Sequence, residues 1–98
     1  MLYNKIKSMK TVKQLERYFK GVSNHRRVEI LLLVSRAPNI SLKKIAESIN
    51  CDIKNACQHA QKLVQAGLLN KKYIGRMVGH SISPYGKKFI TFMKSFSD

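Results

Sequence analysis

A polar face between residues 52 and 66 carries the side chains best suited to binding chemistry. If this stretch is helical, its apolar residues recur at about 100° per residue and form one buried stripe. The stripe comprises Ile53, Ala56, Cys57, Ala60, Leu63 and Val64. The opposite face carries Asn55, Gln58 and Lys62, with Lys54 and Gln65 beside them. Amides pair with adenine edges and cations offset phosphate charge, so such a helix suits the major groove of DNA. A merely solvated helix face has the same pattern, and the overall charge favours the first interpretation.

The chain is strongly basic, with 19 Lys and Arg residues against 5 Asp and Glu residues and a formal net charge of +14 over 98 residues. No carboxylate occurs from Ile53 to Ser97. Counterion release makes such a chain bind polyanions, but DNA, RNA and an anionic membrane surface all meet that condition. The arrangement of the secondary structure elements must therefore select the partner.

Length and composition predict one domain over 1–98, because 44% hydrophobic residues can form a core without cross-links. The longest apolar run, 30–34, is far below the roughly 18 residues of a membrane span. The first ten residues contain no hydrophobic signal segment, so we expect a cytoplasmic protein that binds no membrane. Cys51 and Cys57 do not predict a disulfide framework, and Cys57 is expected in the core.

Two helices are predicted ahead of the polar face. The first is amphipathic and covers 10–22. The second is apolar on nearly every side from Val28 to Val34, which is typical of a central core helix. Asn24, or alternatively Ser23, caps this helix by accepting from exposed backbone amides, and it ends before Pro38.

A helix-turn-helix is predicted over 41–66, followed by a β-hairpin wing over 68–83 and a final helix over 84–96. Ser41 and Asp52 cap the two helices of the first unit. Gly75-Arg76 forms the turn of the hairpin. The last helix begins at Ser83-Pro84 and carries a broad aromatic stripe that needs a covering surface. These elements predict a mainly α winged helix-turn-helix fold with about five helices and a two-stranded wing.

From Ser23 to Gly86, the order of elements and several motifs resemble the ArsR-type winged helix-turn-helix repressors and, more loosely, their MarR-type relatives. Arg27 matches the Arg of the family's Ser-Asp-Pro-x-Arg opening, although His25 replaces the usual Pro. His59 falls on a His that is common in the recognition helix. The other matches lie at junctions, namely Ala66-Gly67-Leu68-Leu69, Gly75-Arg76 and Ser83-Pro84-Tyr85-Gly86.

The resemblance implies a homodimeric repressor that presents the helix 52–66 of each subunit to successive major grooves of a pseudo-palindromic operator. Such dimers form through the first and last helices. The apolar surface of these helices also exceeds what so small a core needs, which favours an interface between subunits. The expected interface residues are Leu15, Phe19, Phe89, Phe92, Met93 and Phe96. Alternatively, both helices fold back on their own subunit.

The DNA contacts on the polar face are assigned by residue type. Asn55 and Gln58 are expected to contact bases, while Lys54 and Lys62 are expected to contact phosphates or guanine. His59 flanks this face and is included from its position in the family, with a packing role as the alternative.

Two further contacts with DNA are expected outside that helix. Arg76 at the wing tip can enter a narrow A·T minor groove, unless it is an ordinary solvated turn residue. The start of the third helix can meet a phosphate, which would set register without reading sequence. Its residues are Ser41, Lys43 and Lys44.

Metal sensing is common in the resembled family, but its ligand motifs are missing from this sequence. The third-helix region has no Cys pair, and 85–96 contains neither His nor a carboxylate. The Cys and His residues show no recognised ligand spacing, so we expect no metal and no cofactor. These residues are Cys51, Cys57, His25, His59 and His80.

An enzyme is not expected, because the five carboxylates are scattered and no Gly-rich nucleotide loop or activated nucleophile is present. The sequence instead favours a sequence-specific regulator that binds double-stranded DNA. Two alternatives stay open, namely nonspecific binding of DNA or RNA and a winged helix used for protein interaction.

Overall fold

The computed structural model describes residues 10–97, in which five helices and three short strands form a mainly helical chain. Residues 1–9, where we expect no signal segment, and residue 98 lie outside this description. The helices are α1 (Val12–Val22), α2 (His25–Arg36), α3 (Leu42–Ser48), α4 (Ile53–Gln65) and α5 (Pro84–Lys94). The strands are β1 (Ile40–Ser41), β2 (Leu69–Ile74) and β3 (Met77–Ile82).

Each of these helices begins after a side chain that accepts from the exposed amides of its first turn. Asn24 caps α2, which confirms it over Ser23. Thr11 and Gln14 form a capping box at α1, so this helix starts two residues later than predicted. The predicted caps of the other three helices are confirmed, and they are Ser41, Asp52 and Ser83.

The core is centred on α2, as the apolar run predicted. Ile30, Leu31 and Val34 are at most 1% exposed and pack with α3, α4 and the base of the hairpin. The other large side chains at this level of burial or close to it are Ile45, Leu63, Leu68 and Leu69. Burial of this kind contributes about 1.5–3 kcal/mol per aliphatic side chain, so the core holds the helix-turn-helix rigidly against α2.

The strands form an antiparallel sheet with β3 in the centre, in the order β1-β3-β2. The hairpin of β2 and β3 was predicted, but β1 was not, because two residues carry no alternating pattern. Ile40 pairs with His80, and Gly79 lets the chains approach closely, since a Cβ there would lie 3.0 Å from the carbonyl oxygen of Asn39. This bridge ties the start of α3 to the middle of β3.

The end of α4 is connected to the start of α5 through one hydroxyl group. Gly67 has φ +80, the left-handed value predicted for this helix end. Ser83 Oγ donates to the Gly67 carbonyl oxygen at 2.6 Å and accepts from the Gly86 amide at 3.0 Å. The last helix is therefore positioned directly by the junction between α4 and the hairpin.

Candidate nucleic-acid interface

Helix α4 buries a narrow face and leaves the rest of its surface uncovered. Ala56, Ala60 and Leu63 are at most 1% exposed and lie against the core. The exposed side chains are Ile53, Lys54, Asn55, Cys57, Gln58, Gln61, Lys62 and Gln65. Of the five side chains predicted to contact DNA from this helix, Lys54, Asn55, Gln58 and Lys62 are exposed and His59 is half-buried.

The predicted apolar stripe of α4 is wrong at two positions. Cys57, expected in the core, is exposed, and Ile53 is 54% exposed. Cys57 lies about 100° around the helix from Ala56, outside the buried arc, and Ile53 is the first helical residue. Sequence reasoning also passed over Gln61, which lies one turn after Cys57 on the same exposed side.

The two predicted base-contacting amides differ in how strongly they are held. Asp52 Oδ1 accepts from the Asn55 backbone amide at 3.0 Å, and Asp52 Oδ2 accepts from the Asn55 side-chain nitrogen. Within residues 10–97, Gln58 forms no hydrogen bond through its side chain. Gln58 can therefore pair with a base without first breaking a contact, whereas the Asn55 side chain must first release Asp52 Oδ2.

His59 faces the interior side of this helix and is half-buried. Its Nδ1 accepts from Arg27 Nε at 3.3 Å, while Arg27 Nη1 donates to the carbonyl oxygens of Lys20 and Gly21 at 3.0 and 3.4 Å. Burial lowers the pKa of His59, and the positive charge of Arg27 lowers it further. These contacts join α1, α2 and α4, and they favour the packing role that was the alternative for His59.

The hairpin of β2 and β3, which we call the wing, projects basic side chains beside α4. Lys71, Lys72 and Arg76 are exposed, with Arg76 at the turn where it was predicted. Gly75 has φ +63, as two-residue hairpin turns require at their first position. A groove of about 200 Å³ separates the wing from α4. Among the residues lining it are Cys57, Gln61, Lys71 and His80.

The start of α3 lies beside the middle of the wing strand β3, because Ser41 pairs with Gly79. Ser41 Oγ accepts from the Lys44 amide at 3.2 Å, so its hydroxyl caps the helix. Lys43 and Lys44 are exposed, and Lys44 Nζ lies 3.9 Å from Glu47. A weak exposed ion pair of this kind does not prevent a lysine from contacting phosphate.

We expect stability to depend on pH through His80. This residue is 3% exposed, and within residues 10–97 its Nδ1 has no hydrogen-bond partner. Burial lowers the pKa of His80, and the charge of Lys71 adds to this effect. The unfolded chain takes up this proton near pH 6.5 but the folded chain resists it, so stability is lost as pH falls below about 6.5. We expect the Tm to fall between pH 7.5 and 5.5, and to fall less in a His80→Gln variant. A variant with the same pH profile as the original chain would contradict this assignment.

Helices α1 and α5 together expose an apolar surface. Phe19, Phe92 and Phe96 are 54%, 47% and 73% exposed. Phe19 packs edge-on against Phe89 at 5.4 Å between ring centroids, so the helices contact each other and still leave aromatic rings uncovered. The other two predicted interface residues, Leu15 and Met93, are half-buried.

Two kinds of feature are missing from the part of the chain described here. No helix within residues 10–97 is long and apolar enough to cross a membrane. The same residues contain no group of three or more His, Cys, Asp or Glu side chains that is arranged to hold a metal ion.

Solved structures of transcriptional regulators share this fold. The homodimeric winged helix-turn-helix DNA-binding domain of Mb0332 from Mycobacterium bovis, a possible ArsR-family regulator, is 22% identical, with a TM-score of 0.81 over 88% of this chain and 81% of that chain. HlyU from Vibrio cholerae is 20% identical, with a TM-score of 0.79 over 90% and 96% of the two chains. The transcriptional regulator HlyU from Vibrio vulnificus is 18% identical, with a TM-score of 0.77 over 98% of each. The predicted winged helix-turn-helix fold is thereby confirmed.

At the level of sequence, no curated protein matches this chain. The profile of the MarR family matches residues 24–73. This stretch runs from the cap of α2 through the helix-turn-helix and into β2, and it covers half of the chain. It includes every predicted DNA contact except Arg76 at the wing tip. The chain belongs to the MarR family.

Proposed function

We propose that the protein is a sequence-specific transcriptional regulator that binds double-stranded DNA as a homodimeric repressor. The observation that carries this proposal is the uncovered polar face of α4 beside a basic wing, in a stretch without carboxylates from residue 53 to 97. An exposed helix with amides and cations can enter the major groove and find donors and acceptors there. Binding to DNA is compatible with the cytoplasmic location expected from the sequence.

In this proposal, α4 reads the major groove. Gln58 contacts a base edge, and Asn55 can do so once it leaves Asp52. Lys54 and Lys62 contact phosphates or guanine. The residues that sequence reasoning missed, Cys57 and Gln61, join this surface on the side next to the wing.

The neighbouring elements hold α4 in register. Arg76 at the wing tip enters the flanking minor groove, where negative potential is concentrated. Ser41, Lys43 and Lys44 meet a phosphate at the start of α3. His59 acts through its contact with Arg27, which fixes α4 against α1 and α2.

The dimer is proposed to form through the apolar surface of α1 and α5. Exposed aromatic rings on two adjacent helices are costly in water, and a second copy covers them symmetrically. The homodimeric state of the Mb0332 domain, which shares the fold, supports this arrangement. The interface residues are Leu15, Phe19, Phe89, Phe92, Met93 and Phe96.

Selection of bound sequences from a random duplex library tests the proposal. A dimer should enrich a pseudo-palindrome with half-sites about 10 base pairs apart, and light scattering should give twice 11.2 kDa. Placing the selected site over a promoter in vitro should then block transcription. A library without enrichment, or equal affinity for RNA, would refute sequence-specific reading of DNA.

Single substitutions on α4 should separate base reading from phosphate contact. We expect Gln58→Ala to weaken binding of the selected site by about 1–3 kcal/mol and to leave random duplex unaffected. Lys62→Ala should weaken both duplexes similarly and lower the salt slope by about one unit per subunit. Fluorescence anisotropy over a salt series measures both effects. Equal losses on every sequence for both variants would exclude Gln58 as a base-reading residue.

A further inference from the structure

A basic recess lies between α1 and α4, away from the wing. It encloses about 320 Å³ and is lined by cations from three helices. Arg17 and Lys20 come from α1, Arg27 comes from α2, and Lys62 comes from α4. We call this feature the α1–α4 recess.

At this recess, α1 lies very close to the end of α4. A Cβ added at Gly21 would lie 2.3 Å from the Cβ of Ala66, so only glycine permits this spacing. Gly21 and Ala66 both line the recess, and their small size leaves it open between the longer cationic side chains. The close approach brings Arg17 and Lys20 beside Lys62.

The positive charge of the recess is poorly neutralised by the protein itself. Among residues 10–97, the only ion pair of its four cations joins Lys20 to Glu16 at 4.0 Å, and both side chains are largely exposed. An exposed ion pair of this kind contributes little free energy, so Glu16 does little to offset the charge of Lys20. Arg27 is fixed by the carbonyl oxygens at the end of α1, so its charge stays in place. Neighbouring positive charges that few carboxylates neutralise attract an anion.

We propose that the α1–α4 recess binds a phosphodiester of the DNA backbone, next to the groove that α4 occupies. This inference rests on the proposed function and adds the end of α1 to the DNA-binding surface. Lys62 and Gln65 belong both to the recess and to the exposed face of α4, so a backbone that leaves α4 passes the recess directly. Three of its four cations, Arg17, Lys20 and Lys62, are exposed on long side chains, which suits an extended polyanion better than a small anion that needs buried donors.

A charge-matched pair of double variants tests the proposal. Arg17→Gln with Lys20→Gln removes two positive charges at the recess. Lys87→Gln with Lys94→Gln removes two positive charges from α5, where both residues line a separate recess with α2. Each phosphate contact contributes about 0.9 to the slope of log K against log salt, so the first variant should lose about 1–2 units per subunit. The slope of the second variant should fall by less than half as much, because its substitutions change only the overall charge of the protein.

The outcomes separate this proposal from the function on which it rests. Equal slopes for the two double variants would overturn the recess site while leaving DNA binding by α4 intact. Failure of the unaltered chain to bind duplex DNA would refute both. Pyrophosphate serves as a second probe, monitored through the backbone amide resonances of Gly21 and Ala66. Competition between pyrophosphate and duplex at these resonances supports the proposal. Tight pyrophosphate binding that leaves duplex affinity unchanged would instead assign the recess to a small anion.

Discussion

Replacing Phe92 by Asp should convert the protein to monomers and lower its affinity for a duplex with two half-sites by about 10²- to 10⁴-fold. Phe92 is 47% exposed and lies 4.9 Å from Phe96 and 6.5 Å from Phe19 between ring centroids. A two-fold interface contains each residue twice, so the substitution buries two carboxylates in apolar surroundings. A monomer loses the second binding event, which linkage in the dimer makes effectively intramolecular.

Light scattering measures the oligomeric state, and fluorescence anisotropy with full-site and half-site duplexes measures the affinity. Thr91→Asp is the matched control, because it adds the same charge at an exposed position of α5 that lines a different recess. This control should stay dimeric. The interface assignment would be wrong if the Phe92 variant stayed dimeric. The role of the dimer in DNA binding would be wrong if a monomeric Phe92 variant bound the full site as tightly as the original chain. Both would be wrong if the original chain were monomeric at every concentration.

The second large effect is expected at Gly86, where Gly86→Ala should destabilise the fold by about 3 kcal/mol. An added Cβ would lie 2.2 Å from the Leu68 carbonyl oxygen and 2.7 Å from Ile82 Cγ1. The first of these is a backbone atom between α4 and β2, so it cannot rotate away. Relief of the clash must separate α5 from this junction and break the Ser83 contacts that hold it.

Urea denaturation at a fixed protein concentration measures this loss. Gly75→Ala is the matched control, since a Cβ there has open space and meets only the cost of φ +63. That cost is about 1 kcal/mol, so the Gly86 variant should lose clearly more free energy of unfolding than the Gly75 variant. A loss at Gly86 no greater than at Gly75 would show that α5 is not fixed against the junction.

The features that the sequence predicted correctly have local causes. Asn24, Ser41, Asp52 and Ser83 cap helices because each satisfies amides within its own first turn. Gly67 adopts a left-handed φ that few other residues tolerate. The apolar run of α2 predicts burial whatever the partner helices are.

The features that the sequence did not predict depend on distant contacts. Periodicity assigned Cys57 to the core because its type is hydrophobic, but the elements packed against α4 determine how wide its buried arc is. The pairing of Arg27 with His59 spans 32 positions, and the close approach of Gly21 to Ala66 spans 45. Helix periodicity cannot reveal such pairs, so the basic recess was visible only in the folded chain.

Protection of Cys57 by DNA tests the central claim most directly, because this thiol lies on the exposed face of α4. In a C51S background, Cys57 should react readily with N-ethylmaleimide in the free protein. With saturating selected duplex, it should react only as fast as the complex dissociates. A control thiol on α5, introduced as T91C in a C51S/C57S background, should keep its rate when duplex is added. An unchanged rate at Cys57 in saturating duplex would contradict the placement of α4 in the major groove.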